Sequence, residues 1–306
     1  YEMETRVAHI SSELGKVQEK LQQLDRNKSN FISVAAHELK TPLTLIEGYT
    51  SMMVDAVENS DQSQINTLLK GVNTGIHRLR YIIDDMIDVS LIDNNLLTLN
   101  FQPLWVTHLL NLLQNELKKI IADRGQALVI KEFVGDDLKI YGDSERLYQA
   151  LYNVITNAIK YTPDGGTITI DGRLLPGFVE IIVADTGIGI SPEHQATIFE
   201  KFGQLGSTDL HSSGKTKFKG GGPGLGLPIT RGIIEAHGGT IWVESEGYDE
   251  VQLKGATFHI LLPTRTEASD PRIAKLFGQY ETLKPEQESE TEISGKENSP
   301  TNISTA

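Results

Sequence analysis

Apolar residues recur through the first 28 positions of the chain, at spacings that alternate between three and four. The set is Val7, Ile10, Leu14, Val17, Leu21 and Leu24. This heptad repeat is a narrow stripe surrounded by polar residues, so it favours a parallel two-stranded coiled coil over a single helix packed on a globular body. The next positions of the repeat are Lys28 and Phe31, so the stripe runs almost in phase into the following segment.

Two longer helical patterns come next. Residues 29–58 predict one helix, residues 58–63 form a polar break with turn residues, and an apolar stripe predicts a second helix over residues 64–97. Two helices joined by a short loop form an antiparallel hairpin. One hairpin has too little core to be stable alone, so two are expected to pair as a four-helix bundle, which implies a homodimer.

From about residue 101 the pattern alternates between strand-like and helix-like runs. Strands are predicted over 127–133, 167–170, 179–183, 240–243 and 256–262, and helices over 106–124, 144–161 and 227–236. This order predicts an α/β sandwich with helices on one face of a mixed sheet. Beyond residue 267 the chain is polar, and residues 281–306 hold six glutamates and no aromatic residue, which predicts a largely disordered tail.

Composition argues against several classes of protein. The 306 residues carry a formal net charge of −13, which argues against a nucleic-acid-binding protein, because such a protein needs a basic face. The absence of cysteine excludes disulfides and thiolate metal sites and fits a reducing compartment such as the cytoplasm. The chain has no apolar run of about 18 residues, so no membrane-spanning segment is expected. Because it begins with Tyr1, we expect a fragment that lacks an upstream sensor domain, and a membrane anchor on the full-length protein is compatible with this.

One histidine of the first long helix has notable neighbours. His37 is followed directly by Glu38, and the hydroxyl of Thr41 lies one turn on, on the same helix face. Pro42 removes a backbone donor and tends to kink the helix. The segment therefore combines an imidazole, a carboxylate and a hydroxyl on a deformable turn. A lone histidine on an amphipathic helix is usually a half-buried surface residue, so the segment alone does not decide the function.

Four short motifs in the α/β part suit a nucleotide. Asn153 and Asn157 share one helix face, where an amide oxygen is a hard ligand suited to Mg²⁺, and Lys160 adds a charge for phosphate. Asp185 follows a strand, so its carboxylate is free to accept a bond from an exocyclic amine. Gly187 and Gly189 come next in the chain and allow close backbone approach.

The other two motifs are an aromatic pair at residues 199–202 and a glycine cluster at residues 220–226. Core packing is the favoured role for the aromatic pair. The glycine cluster leads into a helix, whose N-terminal amides favour phosphate. A Rossmann dinucleotide-binding fingerprint requires a strand before the glycines and an acidic residue about 20 residues after them, and this segment does not show that pattern. The sequence of a Walker P-loop is also absent.

The segment FISVAAHELKTPL at residues 31–43 resembles the phosphoacceptor box of sensor histidine kinases of two-component systems, in its HExxT form. In order and spacing, the four downstream motifs resemble the N box, first glycine box, F box and second glycine box of the same family's ATP-binding domain. Residues 143–149 resemble the run that leads into the N box. The resemblance covers roughly residues 29–265. Gyrase-type and mismatch-repair ATPases share the ATP-binding fold but lack the histidine hairpin.

The resemblance implies a coiled coil and an antiparallel helical hairpin, paired as a dimeric four-helix bundle, followed by a GHKL-type α/β sandwich. The expected domains are a signalling coiled coil at 1–28, a dimerisation and phosphotransfer domain at 29–98, an ATP-binding domain at 99–266 and the polar tail at 267–306. Residues 96–102 are the candidate hinge between the hairpin and the ATP-binding domain.

The resemblance also implies residue roles. His37 would be the phosphoacceptor, with Glu38 and Thr41 assisting it. The nucleotide-binding positions would be Asn153, Asn157, Lys160, Tyr161, Asp185, Gly187, Gly189, Gly222, Gly224, Leu225, Gly226 and Leu227. Asn157 would coordinate Mg²⁺ and Asp185 would accept the adenine amine. Residues 203–221 would be a mobile lid, in which Lys215, Lys217 and Lys219 are candidate phosphate contacts. Pro223 departs from the family pattern, because proline lacks the N–H that a phosphate would accept.

The expected function is ATP-dependent autophosphorylation of His37, followed by phosphoryl transfer to an aspartate of a separate response regulator. Thr41 suggests an additional phosphatase activity toward that regulator. One alternative is a dimeric signalling scaffold that binds ATP without kinase turnover, for which Pro223 is the only support. Another is a GHKL-type ATPase that hydrolyses ATP to drive clamping of a dimer. A phosphoprotein intermediate distinguishes the kinase from both.

Overall fold

Two long helices make up the first part of the chain. The structure is a computed structural model that describes residues 2–58, 61–131, 139–201, 218 and 224–264. Helix α1 (Glu2–Glu58) runs without a break through Pro42, and helix α2 (Gln62–Asp93) packs against it. Asp61 caps α2 by accepting a hydrogen bond from the Gln64 N–H at 3.0 Å. The predicted helical hairpin is therefore confirmed.

The predicted continuity between the heptad segment and the histidine helix is also confirmed, because both lie within α1. Leu14 and Val17 of the heptad stripe are exposed in the single chain. Pairing of this segment as a coiled coil stays a prediction. The part of the chain that the structure describes contains no helix with an apolar stretch sufficient to span a bilayer.

The second helix ends four residues earlier than predicted. Its last helical residue is Asp93, and Asn95 adopts a positive φ of 53°. The N–H of Leu96 reaches back to the carbonyl of Leu91 at 2.8 Å, which closes the helix end. The sequence suggested a longer helix because Leu96 and Leu97 continue the apolar stripe, while two consecutive asparagines are better suited to a helix cap than to its interior.

Glycines of α2 allow the two helices to approach closely. A Cβ placed on Gly75 would lie 2.6 Å from Cγ1 of Ile46 and 3.4 Å from the carbonyl oxygen of Pro42. A Cβ on Gly71 would lie 2.7 Å from the ring of Tyr49. These contacts pair rising numbers on α2 with falling numbers on α1, as an antiparallel hairpin requires. They also fix the position of His37 along the axis of the hairpin relative to the residues of α2.

The second part of the chain is an α/β sandwich, as predicted. Its helices are α3 (Val106–Asp123), α4 (Ser144–Tyr161), the short α5 (Pro192–Gln195) and α6 (Gly226–Ala236). Its strands are β1 (Gln102–Trp105), β2 (Ala127–Ile130), β3 (Lys139–Gly142), β4 (Thr167–Leu175), β5 (Phe178–Asp185), β6 (Thr240–Glu244) and β7 (Ala256–Pro263). Five of them form a mixed sheet in the order β2-β4-β5-β7-β6, in which only β2 and β4 are parallel.

Strands β1 and β3 were missed by the sequence analysis. They pair antiparallel with each other as a separate two-stranded sheet. Each has only four residues, and Pro103 within β1 is a residue that argues against a strand. Strands β4 and β5 form an antiparallel hairpin, with its turn at Gly177 in a positive φ of 79°.

The core lies between the five-stranded sheet and its helices. Alternate residues of the central strands are buried, and Val183 stands opposite both Ile170 and Phe258 in the strand register. Helix α4 contributes a fully apolar face to this core, made of Leu147, Ala150, Leu151, Val154, Ile155, Ala158 and Ile159. The opposite face of α4 is thereby free to carry polar side chains.

Substitution of Gly75 tests the close approach of α1 and α2. We expect Gly75→Ala to lower the free energy of unfolding by about 2 kcal/mol, because the new methyl group would overlap with Ile46. Gly48→Ala on α1 is the matched control. Among the described residues, no atom outside the adjacent turns of its own helix lies within 4 Å of its Cβ position, so this change should raise helix stability by roughly 0.5–1 kcal/mol.

Both variants are compared with the wild type by thermal unfolding at one fixed protein concentration, since unfolding of an oligomer depends on concentration. Equal unfolding temperatures for Gly75→Ala and Gly48→Ala would contradict the packing described here.

Candidate functional site

Helix α4 carries two asparagines on its polar side, and one of them lies beside the second glycine segment. Asn153 and Asn157 are half-buried on the polar side of α4, one turn apart. The Nδ2 of Asn153 donates to the carbonyl oxygen of Gly226 at 3.2 Å. A Cβ on Gly226 would lie 3.4 Å from Cγ of Asn153, so this glycine leaves room for the amide. The first and last of the predicted nucleotide motifs therefore meet.

The N-terminus of α4 is fixed by a capping network. The side chain of Asp143 accepts hydrogen bonds from the N–H groups of Glu145 and Arg146, each at 3.1 Å. The Asp143 N–H donates to Nε2 of the buried His237 at 2.9 Å. Because that nitrogen is an acceptor, Nδ1 of His237 carries the proton and donates to the Ile233 carbonyl at 2.8 Å. The start of α4 is thus tied to the end of α6.

Two side chains from the loop after α3 bind carbonyl groups at the C-terminus of α4. Arg124 donates to the carbonyl of Ile159 at 2.7 Å and to that of Thr162 at 2.9 Å. The buried Gln126 donates to the same two carbonyls, at 3.1 and 2.8 Å. A cation at a helix C-terminus also favours the helix dipole. Lys160 and Tyr161 lie on this last turn, with the Lys160 ammonium 4.7 Å from the Tyr161 ring centroid.

Asp185 ends β5 and bends back on the glycine segment that follows. Its Oδ1 accepts a hydrogen bond from the N–H of Gly187 at 2.8 Å. Burial raises the pKa of Asp185 to about 6, although hydrogen bonds from the N–H groups of Gly187 and Ala256 oppose this shift. A half-buried carboxylate with a raised pKa is typical of a functional site.

The first glycine segment is held by contacts that exclude any side chain. A Cβ on Gly187 would lie 2.5 Å from the carbonyl oxygen of Tyr161. Gly189 has a positive φ of 73°, and a Cβ there would lie 2.1 Å from the carbonyl oxygen of Gly247. The N–H of Ile188 donates to the Tyr161 carbonyl at 3.2 Å. The glycines thus let the loop after Asp185 lie against the backbone at the end of α4.

The described part of the second glycine segment starts α6. Gly224 has a positive φ of 67°, Leu225 is fully buried, and Leu227 packs against the core. Gly222, Pro223 and the lysines at 215, 217 and 219 lie outside the described residues, as does the predicted lid apart from Phe218.

In the F-box motif, Phe199 is buried and meets Phe258 edge-on, with 6.4 Å between the ring centroids, which confirms its predicted packing role. Phe202 lies outside the described residues.

The histidine segment separates its two candidate groups. His37 is exposed, whereas Glu38 is buried and directed toward α2, where its Oε2 lies 3.6 Å from Nη2 of Arg78. Consecutive residues of a helix point in different directions, which explains the separation. The Thr41 hydroxyl donates to the carbonyl of His37 at 3.3 Å. Neither Arg78 nor its pairing with Glu38 was found from the sequence.

The helical hairpin and the α/β part meet along the end of α2. Both carboxylate oxygens of the buried Asp88 accept hydrogen bonds, from Arg146 at 2.7 Å and from Gln149 at 2.6 Å. Val89 is buried in the core of the α/β part, and Gly232 of α6 leaves room for Ile92. Lys201 forms a further ion pair with Asp93. Arg146 and Gln149, which belong to the run before Asn153, thus bind the hairpin.

No group of three or more acidic, histidine or cysteine side chains that could hold a metal ion occurs in the described part of the chain. The donor set near α4 is instead one asparagine face and a lysine. An amide oxygen suits Mg²⁺, which usually keeps several waters and takes few protein ligands when phosphates complete its shell. The residues present therefore fit a magnesium ion that arrives with a nucleotide.

Two protein families match separate parts of this chain. Residues 27–95 match the His Kinase A (phospho-acceptor) domain, and residues 142–266 match the histidine kinase-, DNA gyrase B- and HSP90-like ATPase. The helical hairpin and the α/β sandwich are therefore a phospho-acceptor domain and an ATP-binding domain. The chain belongs to the sensor histidine kinases of two-component systems.

Individual relatives agree with this assignment. The sensor histidine kinase CusS of Escherichia coli O157:H7 is 29% identical over 247 residues, which cover 81% of this chain and 48% of that protein. The full-length ShkA structure in complex with AMPPNP is 26% identical, with a TM-score of 0.56, over 79% of this chain and 47% of ShkA. ThkA, solved with the response regulator protein TrrA, shares the fold at 24% identity and a TM-score of 0.54, over 77% of this chain and 61% of ThkA. The chain spans less than half the length of the curated relatives it matches.

The raised pKa of Asp185 predicts that nucleotide binding weakens in mild acid. In the expected role of Asp185, its ionised carboxylate would accept a hydrogen bond from an adenine amine, and that carboxylate becomes protonated as the pH falls through about 6. We expect the affinity for ADP to fall about tenfold between pH 7 and pH 5 through this group alone.

Calorimetric titration of wild type and Asp185→Asn across this pH range isolates the contribution of Asp185, because ionisation of the phosphates is common to both proteins. The variant should bind weakly, without the additional loss below pH 6. Parallel pH profiles for the two proteins would contradict the prediction.

Proposed function

We propose that this chain phosphorylates itself on His37 with ATP and then passes the phosphoryl group to an aspartate of a separate response regulator. One observation carries the proposal. A single chain holds an exposed histidine on the helix of a phospho-acceptor domain and, in its ATP-binding domain, a cluster that joins Asn153, Gly226, Tyr161 and Asp185. Such a pairing supplies both the acceptor and the site for the donor.

In this proposal the ATP-binding residues divide by what they touch. The Asp185 carboxylate accepts a hydrogen bond from the adenine amine, and Gly187 and Gly189 line the base. Lys160 contacts phosphate and Tyr161 flanks the nucleotide. Backbone groups from Gly222 to Gly226 support the phosphates at the start of α6, and Leu225 and Leu227 hold that segment against the core. The burial of Leu225 and the positive φ of Gly224 support this assignment.

We further propose that Asn157 coordinates Mg²⁺ through its amide oxygen, with Asn153 beside it. The ion, when bound, offsets the charge on the phosphates. The hydrogen bond from Asn153 to Gly226 supports this arrangement, because it joins the asparagine face of α4 to the start of α6, where the phosphates are proposed to lie. No further ligand from a carboxylate cluster is required, in agreement with the donor set found among the described residues.

His37 is the proposed nucleophile. One ring nitrogen attacks the γ-phosphorus of ATP, a new N–P bond forms, the bond between phosphorus and the β–γ bridging oxygen breaks, and ADP leaves. The lone pair on a nitrogen of the neutral imidazole ring is the attacking electron pair. Glu38 orients the imidazole or accepts the proton of the other nitrogen. The exposure of His37 supports access by a separate ATP-binding domain.

The proposed partners follow from the chemistry. A receiver aspartate takes the phosphoryl group from phosphohistidine, and Thr41 positions a water for the reverse dephosphorylation of that partner. The regulator in the ThkA complex is a partner of that protein, and here it supports only the class of partner. Because ATP is the donor, the cytoplasm is the proposed compartment. The domain limits at residues 28, 98 and 266 remain predictions.

Labelling with γ-³²P-ATP and Mg²⁺ tests the enzyme and its acceptor together. We expect wild type to gain acid-labile, base-stable label and His37→Gln to lose it completely. His77→Gln is the matched control, since His77 is an exposed histidine on α2, and it should keep the label. Label on His37→Gln would move the acceptor elsewhere. Bound ATP without label on any protein would favour the scaffold, and free phosphate without a phosphoprotein would favour the GHKL-type ATPase.

We also propose a homodimer formed through the hairpin. Leu69, Ile76 and Ile83 of α2 are seven residues apart and more than 40% exposed in the single chain. A heptad of exposed apolar residues on one helix needs a partner surface, and a second copy of the hairpin supplies one.

Ile76→Lys should therefore shift the chain from dimer to monomer, because a charge would have to be buried in the bundle. Leu112→Lys is the matched control, since Leu112 on α3 is 45% exposed against 49% for Ile76 but lies in the ATP-binding domain. Light scattering after size-exclusion chromatography measures the mass of both variants. An unchanged dimer in Ile76→Lys would place the interface elsewhere.

A further inference from the structure

Glu38 is an acid within a buried stripe of α1. Ala35, Glu38 and Pro42 face α2 at spacings of three and four, and Glu38 is only 9% exposed. The adjacent His37 is exposed on another side of the helix. A carboxylate in such a stripe is unfavourable unless a positive charge or hydrogen bonds offset its burial. The sequence gives no packing reason for an acid at this position.

Arg78 is the cation that faces this carboxylate from α2. Its Nη2 lies 3.6 Å from Oε2 of Glu38, and the side chains are 26% and 11% exposed. Among the described residues, the Glu38 Oε2 atom has no hydrogen-bond partner. The carboxylate is therefore held by charge at close range, while its Oε2 atom retains the capacity to accept a hydrogen bond. A buried polar atom left without a partner calls for a functional explanation.

The backbone near Arg78 is held in place on α2, whereas the backbone near Glu38 on α1 lacks one hydrogen bond. Gly75, one turn before Arg78, packs against Ile46 and the Pro42 carbonyl. This contact sets the height of Arg78 relative to the histidine turn. Pro42 has no N–H, so the carbonyl of Glu38 lacks its usual helical donor four residues on. The turn that bears His37 and Glu38 therefore has one helical hydrogen bond fewer than a regular turn, while packing of the neighbouring Gly75 sets the position of Arg78.

We propose that Arg78 is a positioning residue for the phosphotransfer reaction, which acts by holding the Glu38 carboxylate at the level of His37. The inference rests on the proposed function, in which Glu38 assists His37. Without the guanidinium group, the carboxylate would be a buried charge with no compensation and would leave this position. Arg78 acts through Glu38 alone and contacts neither nucleotide nor phosphate.

A double-mutant cycle between positions 38 and 78 tests this role. The variants are Arg78→Met, Arg78→Lys, Glu38→Gln and the double variant Glu38→Gln/Arg78→Met. Arg80→Met is the matched control, because Arg80 lies on the same helix but its side chain is 81% exposed and forms a salt bridge with Asp84, one turn further along α2, rather than with α1. Initial rates of His37 labelling are measured at saturating Mg²⁺ and ATP, together with the KM for ATP and the thermal unfolding of each variant.

We expect Arg78→Met to lower the labelling rate at least tenfold with an unchanged KM, since loss of a positioned proton acceptor typically costs a hundredfold or more. Arg78→Lys should recover most of the rate because it restores the positive charge, and Arg80→Met should match wild type. In the Glu38→Gln background, Arg78→Met should cause no further loss, because the group it positions is already absent.

If Arg78→Met lowers the labelling rate equally in the wild-type and Glu38→Gln backgrounds, Arg78 acts independently of Glu38 and the inference is overturned. A labelling rate in Arg78→Met equal to that of wild type would also overturn it. If Arg78→Met alone does not fold, the comparison of Glu38→Gln with the double variant decides, since neither buries an unpaired carboxylate. Absence of label on wild type would remove the proposed function itself, whereas a labelled wild type with an insensitive Arg78 would remove only this inference.

Discussion

The burial of one face of α4 is the constraint on which the rest of the structure depends. Seven apolar residues of this helix lie in the core between the sheet and the helices, which forces Asn153 and Asn157 onto the opposite side. Because Asp143 fixes the first turn and Arg124 and Gln126 fix the last, the helix has little freedom to slide or rotate. The proposed nucleotide site is built outward from this helix.

The glycines of the ATP-binding domain follow from the same constraint. Gly187 lies against the final carbonyls of α4 and Gly226 lies against Asn153, so both loops are shaped by contact with one helix. Asp185 is drawn into a partly buried position by the hydrogen bond from Gly187, and that burial raises its pKa. Packing and chemistry are therefore not separate at this site, since the contacts that exclude side chains also set the properties of the carboxylate.

Sequence patterns predicted the helices well because their apolar periodicities are long, and α4 matched its predicted limits. Sequence patterns did not predict β1 and β3, because each strand has only four residues, which is too short to show a clear alternation of apolar and polar positions. The motif residues were recognisable because they are close along the chain. Arg78, Arg124 and Asp88 were missed because their partners lie 40, 35 and 58 residues away, and only the fold brings them together. A charged residue with a distant partner resembles any other surface residue in the sequence.

The end of α2 belongs to two cores at once. Val89 is buried among residues of the α/β part although it continues the helix of the hairpin, and Asp88 is bound by Arg146 and Gln149. A dissection at residue 98 would leave an apolar socket open in the isolated ATP-binding domain, at a cost of about 2 kcal/mol for Val89 alone. The core of the ATP-binding domain therefore includes side chains from the last two turns of α2, so a movement of this helix end would be transmitted directly to the packing beneath α4 and α6.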